Sequence, residues 1–239
     1  MKTPPSLPAA EQRRMRVRAA VRELLAEQGF RVSMDDVAAR VGCSKQTLYS
    51  QFGNKQELMR SVISEHLDLA TARLDPVAED PRATLLAFAR QHLEHLCDPT
   101  VVAASQLLTA EAHQFPLEAQ ALYREGCDTL QQRLAAWLQH AMDQGRLRHD
   151  EPHYAAELLL SMMVGLDFER QRFGVPHRAG DKARQRWAEF AVDTFLRAFS
   201  PDANATGDAR PIPPGIPGRR IRNRRPLPKT SKNRNGASP

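Results

Sequence analysis

The sequence predicts an all-helical fold, and three observations carry the prediction. Apolar residues recur at three- and four-residue intervals through nearly all of residues 10–200, the spacing that gives a helix one buried face. No stretch alternates with period two between hairpin turn residues, as a half-buried strand would. The periodic runs are separated by caps and breakers, at Gly29, Gly42, Asp98-Pro99, Phe115-Pro116, Gly145 and residues 174–180.

The elements follow in order. Val17, Val21, Leu24 and Leu25 form the inward stripe of a first helix that ends at Gly29, after which Phe30 turns to the core. A second helix begins after Ser33, with Asp36 three residues on as in a capping box, buries Val37, Ala38 and Val41, and stops at Gly42. Ser44 caps a short third helix over residues 45–52, and Asn54 with Glu57 caps a fourth through Leu58, Met59, Val62, Ile63 and His66. Longer helices are expected over 85–97, 100–114, 117–144, 152–173 and 181–199, which make a larger bundle. After Ser200 the chain turns to Pro, Gly, Asn and Arg with no aromatic residue, a composition that cannot build a core and reads as a disordered basic tail.

Charge divides along the same boundaries. Residues 1–66 hold 11 Lys/Arg against 7 Asp/Glu, residues 67–200 hold 14 against 19, and residues 201–239 hold 9 against 2. Two basic segments flank an acidic body, the asymmetry of a chain that meets a polyanion with some of its regions and not others. Two prolines stand where a signal peptide would place its apolar run, and no segment approaches the roughly 20 apolar residues that span a bilayer, so the cytoplasm is the expected location. Cys43, Cys97 and Cys127 are odd in number and widely spaced, and are expected to be reduced.

Residues 33–58, SMDDVAARVGCSKQTLYSQFGNKQEL, have the spacing of a helix-turn-helix. A small residue at Ala38 lets two helices approach closely, Gly42 takes a left-handed turn, and Leu48 pins the second helix onto the first, with Val37 and Val41 completing the wedge. At 100° per residue Leu48 and Phe52 share one side of the short helix, and Gln46, Thr47 and Ser50 face away. Those three are expected to meet base edges, where Gln pairs with a base, hydroxyls reach bases or phosphates, and the Thr47 methyl touches a thymine methyl. Lys45 and Tyr49 at the flanks, and Lys55 in the first turn of the next helix, are placed for phosphates.

These residues resemble the DNA-binding domain of the TetR/AcrR family of bacterial regulators, over about residues 12–63. The family pattern is met at Ser33, Val37-Ala38, Gly42, Ser44, Leu48-Tyr49, Phe52 and Lys55. Cys43 departs from it where an aliphatic residue is usual, and Gln46 and Gln51 depart on the surface that would read the operator. Residues 107–123, with the long helix after them, are similar to the AefR-like C-terminal domain. The resemblance implies an N-terminal arm (1–11), a helix-turn-helix domain (12–63), a ligand-binding and dimerisation domain (64–200) and the tail (201–239). It further implies a homodimer on double-stranded operator DNA, acting as a repressor that a small hydrophobic effector releases by shifting the populations of two conformations. In such proteins the last two helices of each subunit pair across the dimer. The all-round apolar run at 158–168 and the stripe on the last helix suit that role, with Leu159, Met163, Leu166, Trp187, Phe190 and Phe195 as interface candidates.

Phe88, Leu107, Leu108, Phe115, Tyr123, Trp137 and Met163 are candidate walls of a ligand pocket, chosen for bulk and helical face, with ordinary core as the alternative for each. His92 and His95 lie near Cys97 but lack a third ligand, so a solvated or partly buried helix face is the expected reading and no metal or other cofactor is expected. Arg170 and Arg172 fit salt bridges more readily than an acidic ligand. No phosphate loop, nucleophile elbow or carboxylate pair stands in a catalytic context, so an enzyme is not expected. The competing function is a constitutive or architectural DNA-binding protein with no effector, to which the tail would add phosphate contacts.

Overall fold

The computed structural model describes residues 8–178 and 180–201. The expectations for most of the arm and for the tail therefore lie outside the described residues. Among those described, the chain is helical and contains no strand. Helix α1 (Ala9–Gln28) passes through a 3-10 turn (Gly29–Arg31) into α2 (Met34–Val41), α3 (Lys45–Phe52) and α4 (Lys55–Thr71). The body follows as α5 (Pro81–Leu96), α6 (Pro99–Glu111), α7 (Pro116–Tyr123), α8 (Thr129–Asp143), α9 (Pro152–Val164), α10 (Asp167–Arg172) and α11 (Asp181–Ala198).

Side-chain caps set most of the helix starts. Ser33 Oγ accepts the Asp36 amide at 3.2 Å while Asp36 Oδ2 accepts the Ser33 amide at 2.9 Å, a reciprocal capping box. Ser44 caps Thr47 at 3.1 Å and Asn54 caps Glu57 at 2.9 Å. In the body, Asp80, Asp98 and Glu151 each cap a helix that opens with proline, where a missing N–H costs nothing and an acidic side chain meets the positive helix end.

Two cores result. Val17, Val21 and Leu24 of α1 close on Val37, Ala38, Leu48, Phe52 and Leu58. The second core is built by Phe88, Leu134, Leu138, Leu159, Met163 and Phe195, from α5, α8, α9 and α11. Cys43 is half-buried against the first core, packing as a small hydrophobe.

Two of the expected long helices are interrupted. The run over 117–144 is α7, a π-helical stretch (Arg124–Asp128) and α8, and such an insertion leaves the apolar periodicity on either side intact and so is silent in sequence. The run over 152–173 breaks between α9 and α10 at Gly165, whose φ is 55°. The Trp187 indole, donating to the Met163 carbonyl at 2.7 Å, packs so close that a Cβ on Gly165 would lie 2.9 Å from its ring. The break thus falls at a glycine against which a residue of a different helix is packed.

Candidate nucleic-acid interface

The turn between α2 and α3 rests on Gly42, at φ 72° and ψ 42°, a left-handed conformation that costs a residue with a Cβ about 1–2 kcal/mol. Its amide returns to the Ala38 carbonyl at 3.0 Å. Leu48 is wholly buried and Phe52 nearly so, which fixes the rotation of α3 about its axis. With that rotation set, Gln46, Tyr49 and Ser50 lie on the exposed side, and Tyr49 keeps 49 % of its surface open. The Gln46 side chain makes no protein hydrogen bond among the described residues, so both ends of its amide face outward unpaired. Ser50 donates to the Thr47 carbonyl at 2.9 Å and retains its acceptor lone pairs.

Three expected DNA contacts are differently placed. Thr47 is half-buried, and its hydroxyl lies 2.8 Å from Ser44 Oγ, so it belongs as much to the cap as to the outer face. Lys45 is exposed but ion-paired with Asp35 of α2. Lys55, expected on a phosphate, donates instead to the Phe30 carbonyl at 2.8 Å. Burial pushes its ammonium pKa below the ordinary lysine value, against the pull of Glu118 and Asp36. A lysine at the start of α4 reads as free in sequence because nothing local shows that the 3-10 turn lies against it. Gln51 is half-buried, with its carbonyl oxygen enclosed and lacking a hydrogen-bond partner.

Comparison with known proteins places this geometry. Residues 17–62 match the model of bacterial regulatory proteins of the tetR family, and residues 83–201 match the AefR-like transcriptional repressor C-terminal domain. The flavonoid-responsive regulator FrrA is 30 % identical, over 81 % of this chain and 100 % of that one, with a TM-score of 0.61. The chain belongs to the TetR family. It is therefore a DNA-binding transcription regulator, and TetR-family regulators are not enzymes. A TetR-family structure from Mesorhizobium loti shares the fold, with a TM-score of 0.67 at 22 % identity over 81 % of this chain and 100 % of that one. YvaF of Bacillus subtilis (strain 168), an uncharacterised helix-turn-helix regulator, is 35 % identical over 52 residues, 22 % of this chain, and the match spans 27 % of YvaF.

The body of this TetR-family protein distributes the remaining candidates unevenly. Leu159, Met163 and Phe195 are wholly buried inside the subunit and cannot line an outer face, which corrects their assignment to a dimer interface. Leu166 and Phe190 are 66 % and 60 % exposed, and Leu158, one position from the expected Leu159, is 46 % exposed. Trp187 is half-buried, its indole 5.8 Å from the Phe190 ring. An all-round apolar helix does not reveal which of its sides the subunit itself will use.

The candidate pocket walls differ in burial. Phe88, Trp137 and Met163 are packed core, and Trp137 donates to the Asp75 carbonyl at 2.9 Å. Leu107, Leu108 and Phe115 are half-buried, and Tyr123 is 61 % exposed. A small, partly open void between α5, α10 and α11, bounded by Leu93, Cys97, Gln171, Arg178 and Trp187, has about 10 Å³, room for one water. His92 is buried, stacked on Phe88, and His95 stacks on His66 of α4 with ring centroids 3.5 Å apart. Burial first, and the neighbouring His66 second, depress His92 to about 4. Burial first, then His66 and His92, bring His95 to about 3. Arg172 pairs with Glu169 at 3.2 Å. No helix among the described residues is long and apolar enough to cross a membrane.

Proposed function

We propose that this protein is a homodimeric repressor that holds a near-palindromic operator and leaves it when a small hydrophobic molecule enters the body. The observation that carries the reading is the outer face of α3, where Gln46, Tyr49 and Ser50 are exposed while Leu48 and Phe52 are locked inside. A helix of eight residues reaches only a few base pairs, so specific binding calls for two copies about 34–36 Å apart, one turn of DNA. Exposed Leu158, Leu166 and Phe190, beside half-buried Trp187, supply an apolar surface for a second copy of the chain.

The effector reading is supported by α6 and α7. Val101, Val102, Leu107, Leu108 and Leu122 stay only half-buried and Leu117 is 76 % exposed. A hydrophobic ligand covering part of that surface would prefer one conformation of α6, and a few kcal/mol of preference suffices to weaken operator binding through reciprocal linkage. FrrA is flavonoid-responsive by name, so planar polyphenols are the first class to test.

Genome-wide capture of bound DNA would supply the operator, and gel-shift titration with flavonoids and other planar aromatics would follow. A symmetric footprint from a dimer, released by one class of ligand, is the expected result. A monomer at micromolar concentration without a symmetric footprint overturns the dimeric reading. Binding that no ligand class weakens favours the effector-free alternative.

A further inference from the structure

One side chain of α6 is buried, and it is a carboxylate: Glu111, 4 % exposed. A carboxylate so placed is costly unless it is paired and hydrogen-bonded, and both partners of Glu111 come from the 3-10 turn that joins α1 to α2. Its Oε2 accepts the Phe30 amide at 3.0 Å, and its Oε1 accepts from the Arg31 guanidinium. The second guanidinium nitrogen donates to Gln114 at 3.3 Å. On the other side of the same residue, Lys55 of α4 donates to the Phe30 carbonyl at 2.8 Å. The backbone of Phe30 is thus held by an anion at its N–H and a cation at its C=O, each matched to the dipole it meets.

Shape reinforces the grip. The Phe30 ring lies 5.8 Å from that of Phe115, over which the Arg31 guanidinium also sits at 5.8 Å. Gly29 has φ 59°, and a Cβ there would overlap the Glu111 carboxylate and come within 2.9 Å of Leu107. The core of Val17, Val37, Leu48 and Phe52 closes without Glu111, so nothing inside the helix-turn-helix calls for this carboxylate. Ser33, the cap of α2, follows two residues after Arg31. Glu111 thus holds the turn from which α2 leaves the body.

We infer that Glu111 is a positioning residue for DNA recognition: it fixes the angle of the helix-turn-helix against the body and so the separation of the two recognition helices. The inference rests on the dimeric operator reading above. Two measurements on the full chain test it. The first is amide exchange in the free protein, where Glu111→Ala should speed exchange at Phe30 by at least about tenfold, the scale of one lost charged hydrogen bond, and leave the amides around Leu24 and Leu48 unchanged. The second is affinity for operators whose half-sites are moved by one and two base pairs, displacements of about 3.4 and about 6.8 Å. Wild type should discriminate sharply among spacings. Glu111→Ala should bind them within about threefold of one another, while keeping its base preference within each half-site, because the face of α3 is untouched. Glu111→Gln, which keeps the shape and an acceptor for Phe30 but loses the charge facing Arg31, should fall between, and provides a folded comparison if the alanine variant is unstable. Exchange that accelerates equally at Leu24 and Leu48 assigns Glu111 to general stability and overturns the inference. So does an unaltered spacing preference in a variant whose Phe30 amide has opened. A wild type with no spacing preference removes the dimeric reading itself, a result distinct from either.

Discussion

The α2–α3 pair and the α6–α7 pair treat their apolar residues in opposite ways. In α2 and α3 the apolar positions Val37, Ala38, Leu48 and Phe52 are buried, and the caps Ser33 and Ser44 are satisfied. In α6 and α7 the sequence is at least as apolar, yet Glu111 is the one buried residue of α6 and α7 has none. The first pair spends its apolar surface on its own stability and presents polar groups outward. The second leaves apolar surface half-open and places its carboxylate inside, against the turn that leads to α2. A helix pair that does not complete a core is free to respond to something that does, whereas a recognition unit has to hold its shape.

Substitutions at matched leucines probe the contrast most strongly. Leu48→Ala removes a wholly buried side chain and is expected to cost about 2–5 kcal/mol and abolish operator binding. Leu117→Ala, at a position 76 % exposed, should change stability by less than about 0.5 kcal/mol in denaturant unfolding. Equal losses at the two sites would erase the distinction between the pairs.

Acid should act on the body ahead of the helix-turn-helix. His92 is held at about 4 in the folded chain against an ordinary 6.5, so between those values the unfolded chain takes up a proton that the folded chain refuses. Stability is therefore complete above pH 6.5 and falls as the pH drops toward 4, by about 2 kcal/mol at pH 5 from this group. Urea unfolding from pH 7.5 to 5 should show the loss together with that from His95, held at about 3, and His92→Leu should remove about half of it. A slope unchanged in that variant would place the acid sensitivity elsewhere.

On the outer face of α3, Gln46→Ala should alter preference at particular operator positions by about 1–3 kcal/mol, the range of one bidentate base contact, with no change in stability. Selection from randomised operators reads this directly. If replacing Gln46, Thr47 and Ser50 together leaves preference unchanged, the outward face is not the reading face.

The smallest effect is expected beyond the two pairs, from the chain after Ser200, which lies almost wholly outside the described residues. Removing it takes away 9 Lys/Arg and 2 Asp/Glu. If two or three of those cations reach phosphates, the slope of log affinity against log salt should flatten by about 2–3 while operator preference stays the same. Identical slopes for whole and truncated chains would show the tail to be inert on DNA.

The helix-turn-helix was legible in the sequence because everything that forms it is local. Caps lie three residues from the amides they satisfy, Gly42 sits where the turn needs a left-handed residue, and the faces of short helices follow from 100° per residue. Helix existence in the body was legible for the same reason. Tertiary structure alone decided which sides of α9 and α11 the subunit keeps for itself, putting Leu159, Met163 and Phe195 inside and leaving Leu158 and Phe190 out. It also decided that Trp187 packs against Gly165, that Lys55 turns from solvent to the Phe30 carbonyl, and that Glu111, 81 residues from Phe30 along the chain, meets that same peptide. Local patterning states how strongly a helix must be buried on some side, but the partner on that side is chosen by contacts between segments distant in sequence, and periodicity carries no record of them.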